Sequence, residues 1–260
     1  MRALTIAATG MEAQQTNVEV ISNNIANVST TGFKRRMAEF EDLLYQNVTR
    51  VGTQSSEAGT ILPTGMQLGL GVRPSGVTRV TTQGSLTETG NQLDLAINGR
   101  GYFGIKMPSG DIAYTRDGTF KLSATGQIVN NEGYPVEPGI TVAPTATAVT
   151  VNTAGQVIET APNGTQSTIG QLQLFNFVNE AGLDPQGGND FLETQASGTP
   201  LQGIPANPGF GTIQQGYVES SNVNVVQEMT NLISAQRAYE MNSKVIEAAD
   251  QMMQTTTQIR

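Results

Sequence analysis

Apolar residues recur every seven positions at both ends of this chain and every second position in much of its middle. At the start, Leu4, Met11, Val18 and Ile25 keep the seven-residue period, and Ala7, Ile21 and Val28 fill the interleaved positions, with Gln14 the exception. At the end, Val225, Leu232, Tyr239, Ile246 and Met253 keep the same period, supported by Met229, Ala235 and Ala249. A repeat of this kind marks helices that pack lengthwise on other helices. Each stripe is narrow and broken by polar residues, so neither helix buries much by itself.

The first helix is predicted over residues 3–28. Ser29, Thr30 and Thr31 are poor interior residues, and Gly32 suits the left-handed position after a helix end. The last helix begins near Asn224, which can cap it, with Gln227 placed to reach back and Glu228 near the positive end of the dipole. Glu240 and Lys244 stand four apart in the favourable order. The two helices pack either antiparallel within the chain or side by side across chains. Helix formation is costly to nucleate, so both termini are expected to be partly disordered in the monomer and to order on assembly.

Between the helices the pattern changes. Ala38–Tyr45 reads as either helical or extended. Residues 46–75 have no helical period but five glycines and two prolines, so they read as an extended, hairpin-like excursion or as a loop. From Val77 to Val218 the signals are strand and turn. Leu93, Leu95 and Ile97 alternate with Asp94, Ala96 and Asn98, as in a half-buried strand. Asp117-Gly118, between two β-prone runs, predicts a two-residue hairpin. Further turns are marked at Thr125-Gly126, Glu132-Gly133, Ala154-Gly155 and Asn163-Gly164, and Leu172, Leu174 and Asn176 share a strand face opposite Phe175 and Phe177. The fold class read from this is α+β: long terminal helices packing as a coiled coil and enclosing an antiparallel β-rich domain. The domains are residues 1–35 with 219–260, a connecting segment over 36–76, and a β-rich outer domain over 77–218.

Composition narrows the chemistry. The 260 residues suffice for one or two cores. A net charge of −8 argues against a nucleic-acid partner. No apolar run approaches a membrane span, and the N-terminal residues lack the apolar core of a signal peptide. Cysteine, histidine and tryptophan are absent, which removes zinc fingers, histidine triads, thiol nucleophiles and most transition-metal sites. A chain that leaves the cell unfolded would also benefit from having no cysteine to cross-link.

The remaining motifs favour structure over catalysis. Gly99-Arg100-Gly101-Tyr102-Phe103-Gly104 has the spacing of a dinucleotide fingerprint, but no helix opens at its glycines and the chain heads for another turn at Met107–Gly110. Asp111, Asp117 and Glu132 are conceivable as a carboxylate pair or calcium ligands, yet each adjoins a turn glycine, where a local hydrogen-bonding role is the simpler reading. Lys34-Arg35-Arg36 is too short for a nucleic-acid patch and is read as a solvated face or an intersubunit ion pair.

The run Ser22-Asn23-Asn24-Ile25-Ala26-Asn27-Val28-Ser29-Thr30-Thr31-Gly32-Phe33-Lys34 resembles the N-terminal signature of the bacterial flagellar axial proteins, the rod and hook components. Ser221-Asn222-Val223-Asn224 through Ala235-Gln236-Arg237-Ala238-Tyr239-Glu240 resembles the C-terminal signature. DLAINGRGYFGI and YTRDGTFKLSATGQIV are similar to the family's β-domain pattern. The chain has little room for the additional outer domain usual in hook members, and the smaller proximal rod members lack most of the β-domain. A proximal member of similar size is the closest competitor.

The resemblance implies a structural subunit without cofactor, metal or catalysis. It also implies export through the flagellar type III apparatus without a cleaved signal peptide, and helical self-assembly in the basal body across the periplasm. Other rod proteins, the hook protein and the surrounding ring proteins would be its neighbours, with no nucleic acid and no membrane insertion. The expected self-assembly interface is Leu4, Met11, Val18, Ile21, Ile25, Val225, Met229, Leu232, Tyr239, Ile246 and Met253. Asn23, Asn24 and Asn27 would satisfy backbone or partner hydrogen bonds near the first helix end. Residues 46–75 resemble an extra segment that braces neighbouring subunits. Two other classes remain open: a secreted β-domain binding module dimerised by an ordinary coiled coil, and a cell-wall hydrolase, for which no convincing carboxylate pair is present.

Overall fold

The computed structural model describes residues 2–50 and 64–258. It falls into two compact units: Met1–Ile25, Arg36–Thr78 and Val225–Arg260 form the first, Ala26–Arg35 and Arg79–Asn224 the second.

The first unit holds both long helices, α1 (Arg2–Ala26) and α2 (Val225–Gln258). They run antiparallel: Asn24 near the end of α1 donates to Glu228 in the first turn of α2, and Gly10 lies against the side chain of Asn242. The residues buried on the two helices are mostly small, Ala7 and Ala13 on α1 and Ala235 and Ala249 on α2. Small side chains let helix backbones approach closely but remove little apolar surface from water, so the pair gains modestly per turn. Among the larger apolar residues of α1, Ile21 is fully covered, and its burial is worth about 2 kcal/mol.

A long two-stranded ribbon completes this unit. Strand β1 (Arg36–Asp42) continues into β2 (Tyr45–Thr49), and β3 (Met66–Gly69) continues into β4 (Val72–Arg79). β1 pairs with β4 and β2 with β3, and Leu43 N donates to Gly71 O at 2.8 Å between the two ladders. Ala38–Asp42 is therefore extended, not helical. The pairing of the excursion starts ten residues earlier than the pattern suggested; residues 51–63 of it lie outside the described residues. The ribbon lies on α1 at two points. Asn24 both donates to Arg36 O (2.8 Å) and accepts from Arg36 N (2.9 Å). Gly71, at φ +122°, sits so close to Thr9 that a Cβ there would collide with the threonine hydroxyl.

The second unit is built on a six-stranded antiparallel sheet in the spatial order Asp184–Gly187, Asp190–Leu192, Ile112–Thr115, Tyr102–Lys106, Leu174–Asn176, Leu201–Gly203. Alternate residues point to opposite faces, and on the central strands both faces are buried. Phe103 and Leu174, paired across two strands, join an aliphatic core with Leu95, Ile97, Phe120 and Ile213. Their neighbours Tyr102 and Phe175 join a second cluster with Tyr114, Phe177 and Phe191. The expected split of Leu172 and Leu174 from Phe175 and Phe177 thus separates two cores. Edge-on contacts such as Tyr114–Phe177 at 4.8 Å each add about 1 kcal/mol to the second.

Several expectations are corrected here. Leu95–Asn98 is not half-buried: Leu95, Ala96 and Ile97 are all covered, because the strand lies between other elements on both sides. Asp117-Gly118 does not close a hairpin. Ile112–Thr115 pairs with Tyr102–Lys106 and with Asp190–Leu192, while Lys121–Leu122 pairs with Ile128–Val129. Asp117 instead accepts from the backbone and hydroxyl of Thr119, turning the chain where Gly118 must clear the Leu95 carbonyl. The turns at Gly126, Gly133, Gly155 and Gly164 form as expected, each glycine at positive φ and each N–H bonded three residues back.

The exit from α1 also differs from expectation. The helix ends at Ala26, two residues early, so Gly32 is not the residue after its end. Gly32 has φ +70° and packs on the backbone at Arg116–Asp117, while its N–H donates to Glu219 O at 2.7 Å. Next to it, Lys34 is buried, not solvated. Its ammonium meets the Glu219 carboxylate at 2.5 Å and the Thr82 carbonyl at 3.0 Å. Arg116 holds the other Glu219 oxygen at 3.2 Å and stacks over Tyr102. Burial pushes the Lys34 ammonium below its usual range, and Glu219 opposes that shift.

Candidate assembly surface

The seam between α1 and α2 follows the seven-residue period with two departures, at Met229 and at Tyr239. On α2, Val225, Leu232, Ile246 and Met253 are half-buried and Ala235 and Ala249 fully so. The interleaved position near the start is taken by Glu228, which is buried, while Met229 is 52 % exposed on the other side of the helix. The sequence offered Met229 because it is apolar. The deciding signal is spacing: Glu228, Leu232 and Ala235 stand at intervals of four and three.

Glu228 is tolerated at the seam because Asn24 meets it. The Asn24 amide donates to Glu228 Oε2 at 3.1 Å while its remaining bonds go to the Arg36 backbone. One buried side chain therefore joins α1, α2 and the first residue of the ribbon. A buried polar group costs free energy in every register except the one that satisfies it, which makes such a contact a register-setting device. Asn27 accepts from the Thr30 hydroxyl at 3.1 Å in the exit turn, and Asn23 lies on the exposed side of α1.

On α1, Leu4, Met11, Val18 and Ile25 are half-buried and Ile21 is buried. Val18 also lines an open groove of about 530 Å³ along the helix pair, with Gln15 and Glu19 from α1 and Gln236, Tyr239 and Glu240 from α2. Tyr239, expected in the stripe, is 43 % exposed and forms a wall of this groove instead. Asn242, one turn on, takes the seam position facing Gly10.

The ribbon offers a second surface. Leu44, Tyr45, Val48, Met66 and Leu68 are all exposed on it, and its order rests on polar cross-strand contacts such as Glu41 with Arg73 and Ser75. Those donors hold the Glu41 carboxyl below its usual range, the Ser75 hydroxyl foremost.

The carboxylates singled out in the sequence lie in the second unit. Asp117 and Glu132 line one small cleft of about 200 Å³ together with Asp190. Burial raises the Asp190 carboxyl to about 6, a hydrogen bond from Thr115 opposes the rise, and Glu132 and Asp117 add to it. Among the described residues no group of acidic side chains is disposed to hold a metal ion, and no helix is long and apolar enough to cross a membrane. The glycines of the GxGxxG run introduce the strand Tyr102–Lys106 and no helix.

Comparison with known proteins assigns this arrangement. Residues 4–34 match the family described as flagella basal body rod protein, residues 96–159 the flagellar hook protein FlgE/F/G D1 domain, and residues 214–259 the flagellar basal body rod FlgEFG protein C-terminal region. The flagellar basal-body rod protein FlgG of Caulobacter vibrioides is 56 % identical over 100 % of both chains. The chain belongs to the flagellar basal-body rod protein family. The FlgG of Agrobacterium fabrum is 52 % identical over 97 % of both chains, and that of Bacillus subtilis 35 % identical over 100 % of this chain and 99 % of its own. The two terminal matches coincide with α1 and its exit loop and with α2; the central match begins at Ala96, inside the first two-sided strand.

Proposed function

We propose that this chain is the structural subunit of the distal rod, stacking helically into the hollow drive shaft that carries torque from the motor to the hook. Full-length correspondence to rod proteins carries this reading: 56 % identity across 100 % of the chain leaves no segment without a counterpart. In the shaft the terminal helices form a coiled-coil inner tube over residues 1–35 and 219–260, and the β-rich domain over 77–218 packs outside it. The segment 36–76 reaches a neighbouring subunit. Its exposed Leu44, Tyr45, Val48 and Leu68 favour that role, because a ribbon buried on neither face is marginal without a partner.

The partners are further copies of this chain, the proximal rod proteins, the hook protein and the surrounding rings. The route is the type III export apparatus, which suits a chain free of cysteine. The function is mechanical, and no residue is assigned to catalysis.

Expression of the full chain in a flagellated bacterium deleted for its own distal rod gene tests this. Restored motility, with full-length rods in isolated basal bodies, is the expected result. Basal bodies that stay truncated while the chain accumulates outside them would count against the assignment. Removal of residues 46–75 is expected to leave the chain exported but to yield shorter or more bendable shafts. Unchanged shaft stiffness would remove the bracing role.

A further inference from the structure

We propose that residues 31–35, 80–85 and 219–222 form one cooperative clasp, folded with the second unit, that holds the exit of α1 and the entrance of α2 together whether or not the helices are ordered. The chain passes between the two units four times, at 25/26, 35/36, 78/79 and 224/225. Residues 26–35 lie between the first two passages, Arg79 follows the third, and Asn224 precedes the fourth. All three segments that these passages define meet within the second unit, around two polar side chains.

Glu219 is the first of these. One carboxylate oxygen takes the Lys34 ammonium at 2.5 Å and the Gly84 N–H at 2.8 Å. The other takes Arg116 at 3.2 Å, and the Glu219 carbonyl accepts the Gly32 N–H at 2.7 Å. Lys34 donates onward to the Thr82 carbonyl. Asn222 is the second. Its oxygen accepts the Arg35 N–H at 2.6 Å, while its amide donates to Val80 O at 3.0 Å and to Thr82 O at 2.9 Å. Each side chain therefore ties all three segments at once. Two backbone bonds close the circuit, Val80 N to Arg35 O and Ser220 N to Ser85 O, each at 2.8 Å. A Cβ at Gly84 would collide with the Ser220 carbonyl, and one at Gly32 with the backbone at Arg116–Asp117, so the segments meet backbone to backbone.

Such a circuit is cooperative because releasing one segment strips partners from the other two, and a half-satisfied polar network costs more than a complete or an absent one. Apolar cover is thin: Phe33 and Val223 are buried, whereas Thr82 and Gln83 are exposed. The sheet, by comparison, is closed around Phe103 and Tyr102. Regions held mainly by polar contacts open at lower free energy than apolar cores. The clasp thus opens as one piece while the sheet stays shut. None of its contacts involves the body of either helix, so the run from Thr31 to Arg35, continuous with α1 in sequence, belongs energetically to the β-rich unit. This inference does not depend on the rod assignment.

Hydrogen exchange of the unassembled full chain tests it, read at the amides of Gly32, Arg35, Val80, Gly84 and Ser220. Corrected for intrinsic rates, the five are expected to report one common opening in the parent. Asn222→Ala should speed all five by about tenfold, although Asn222 itself bonds only the Arg35 amide among them. The amides of Lys106 and Val136, bonded to Pro135 O and Ile128 O in the body of the unit, should keep their rates. Ile233→Pro, which breaks α2 at an exposed position, should leave all five unchanged.

Five unrelated openings in the parent, or acceleration confined to Arg35 in Asn222→Ala, would show separate contacts and no clasp. Equal acceleration of Lys106 and Val136 would mean that these segments open only with the whole unit. Acceleration of the five amides in Ile233→Pro would make them part of the helical pair. Each of these overturns the proposal, and the parent and Ile233→Pro measurements decide it even if Asn222→Ala does not fold.

Discussion

In the six-stranded sheet of the second unit, neighbouring residues Tyr102 and Phe103 are both fully covered, one in each of two cores. Along the described residues of α2, by contrast, the fully buried side chains are Glu228, Ala235 and Ala249. The sheet is completed by its own chain; the helix is not. Strands covered on both faces remove apolar surface from water at every residue, whereas a helix packed on one neighbour does so at about two residues in seven. The second unit thus carries most of the buried core, and the helix pair leaves most of its surface exposed.

The largest expected effect breaks the self-sufficient region at its charge centre. Glu219→Ala leaves Lys34 and Arg116 buried without their shared carboxylate and should destabilise the second unit by about 4 kcal/mol. Chemical denaturation followed by tyrosine fluorescence would show it; a loss under 1 kcal/mol would mean that water replaces Glu219 easily. Phe103→Ala, which opens a cavity in the aliphatic core beside Phe120 at 5.1 Å, should cost about 3–4 kcal/mol by the same assay.

The helix pair should respond more gently in stability and more sharply in geometry. Asn24→Ala strips Glu228 of a donor and frees the Arg36 backbone, with an expected loss of about 1–2 kcal/mol. Its sharper signature is register. A Gly10→Cys, Asn242→Cys pair should close a disulfide readily in the parent and poorly in the Asn24→Ala background. Equal yields in both would mean that the apolar seam alone sets the alignment.

The smallest effect has the opposite sign. A carboxyl whose folded value is raised from 3.8 to about 6 binds its proton more tightly when folded, so the native state loses stability as pH rises between those values. Asp190→Asn should therefore be more stable than the parent by about 1 kcal/mol above pH 7, with the difference fading toward pH 4. Thermal melts at both ends of that range would decide it; a variant less stable at neutral pH would show that the Thr115 contact outweighs the burial.

Local chemistry made much of this legible in advance. The period of seven located α1 and α2 to within two residues at the first helix end, and glycine between β-prone runs located four β-turns. The polar residue at a seam position is not legible locally: nothing distinguishes Glu228 from Met229 until a partner such as Asn24, 204 positions away in sequence, is brought to it. Lys34 reads as a surface cation for the same reason, because its carboxylate lies 185 positions away. Asp117-Gly118 has the composition of a hairpin turn, yet whether the flanking strands pair with each other depends on competing strands elsewhere in the sheet.

Periodicity, turn residues and the absence of cysteine and histidine are local properties, and by themselves they determined the helical ends, the β-rich middle and the exclusion of most chemistry. The terminal and central motifs, read in order, determined the family. Tertiary structure alone decided which side of α2 is covered within the chain and which is left exposed. It also decided that the sheet's central strands are covered on both faces and that two cations share one buried carboxylate. Each of these depends on which distant surfaces compete for the same residue, and a side chain's hydrophobicity is the same whichever neighbour covers it.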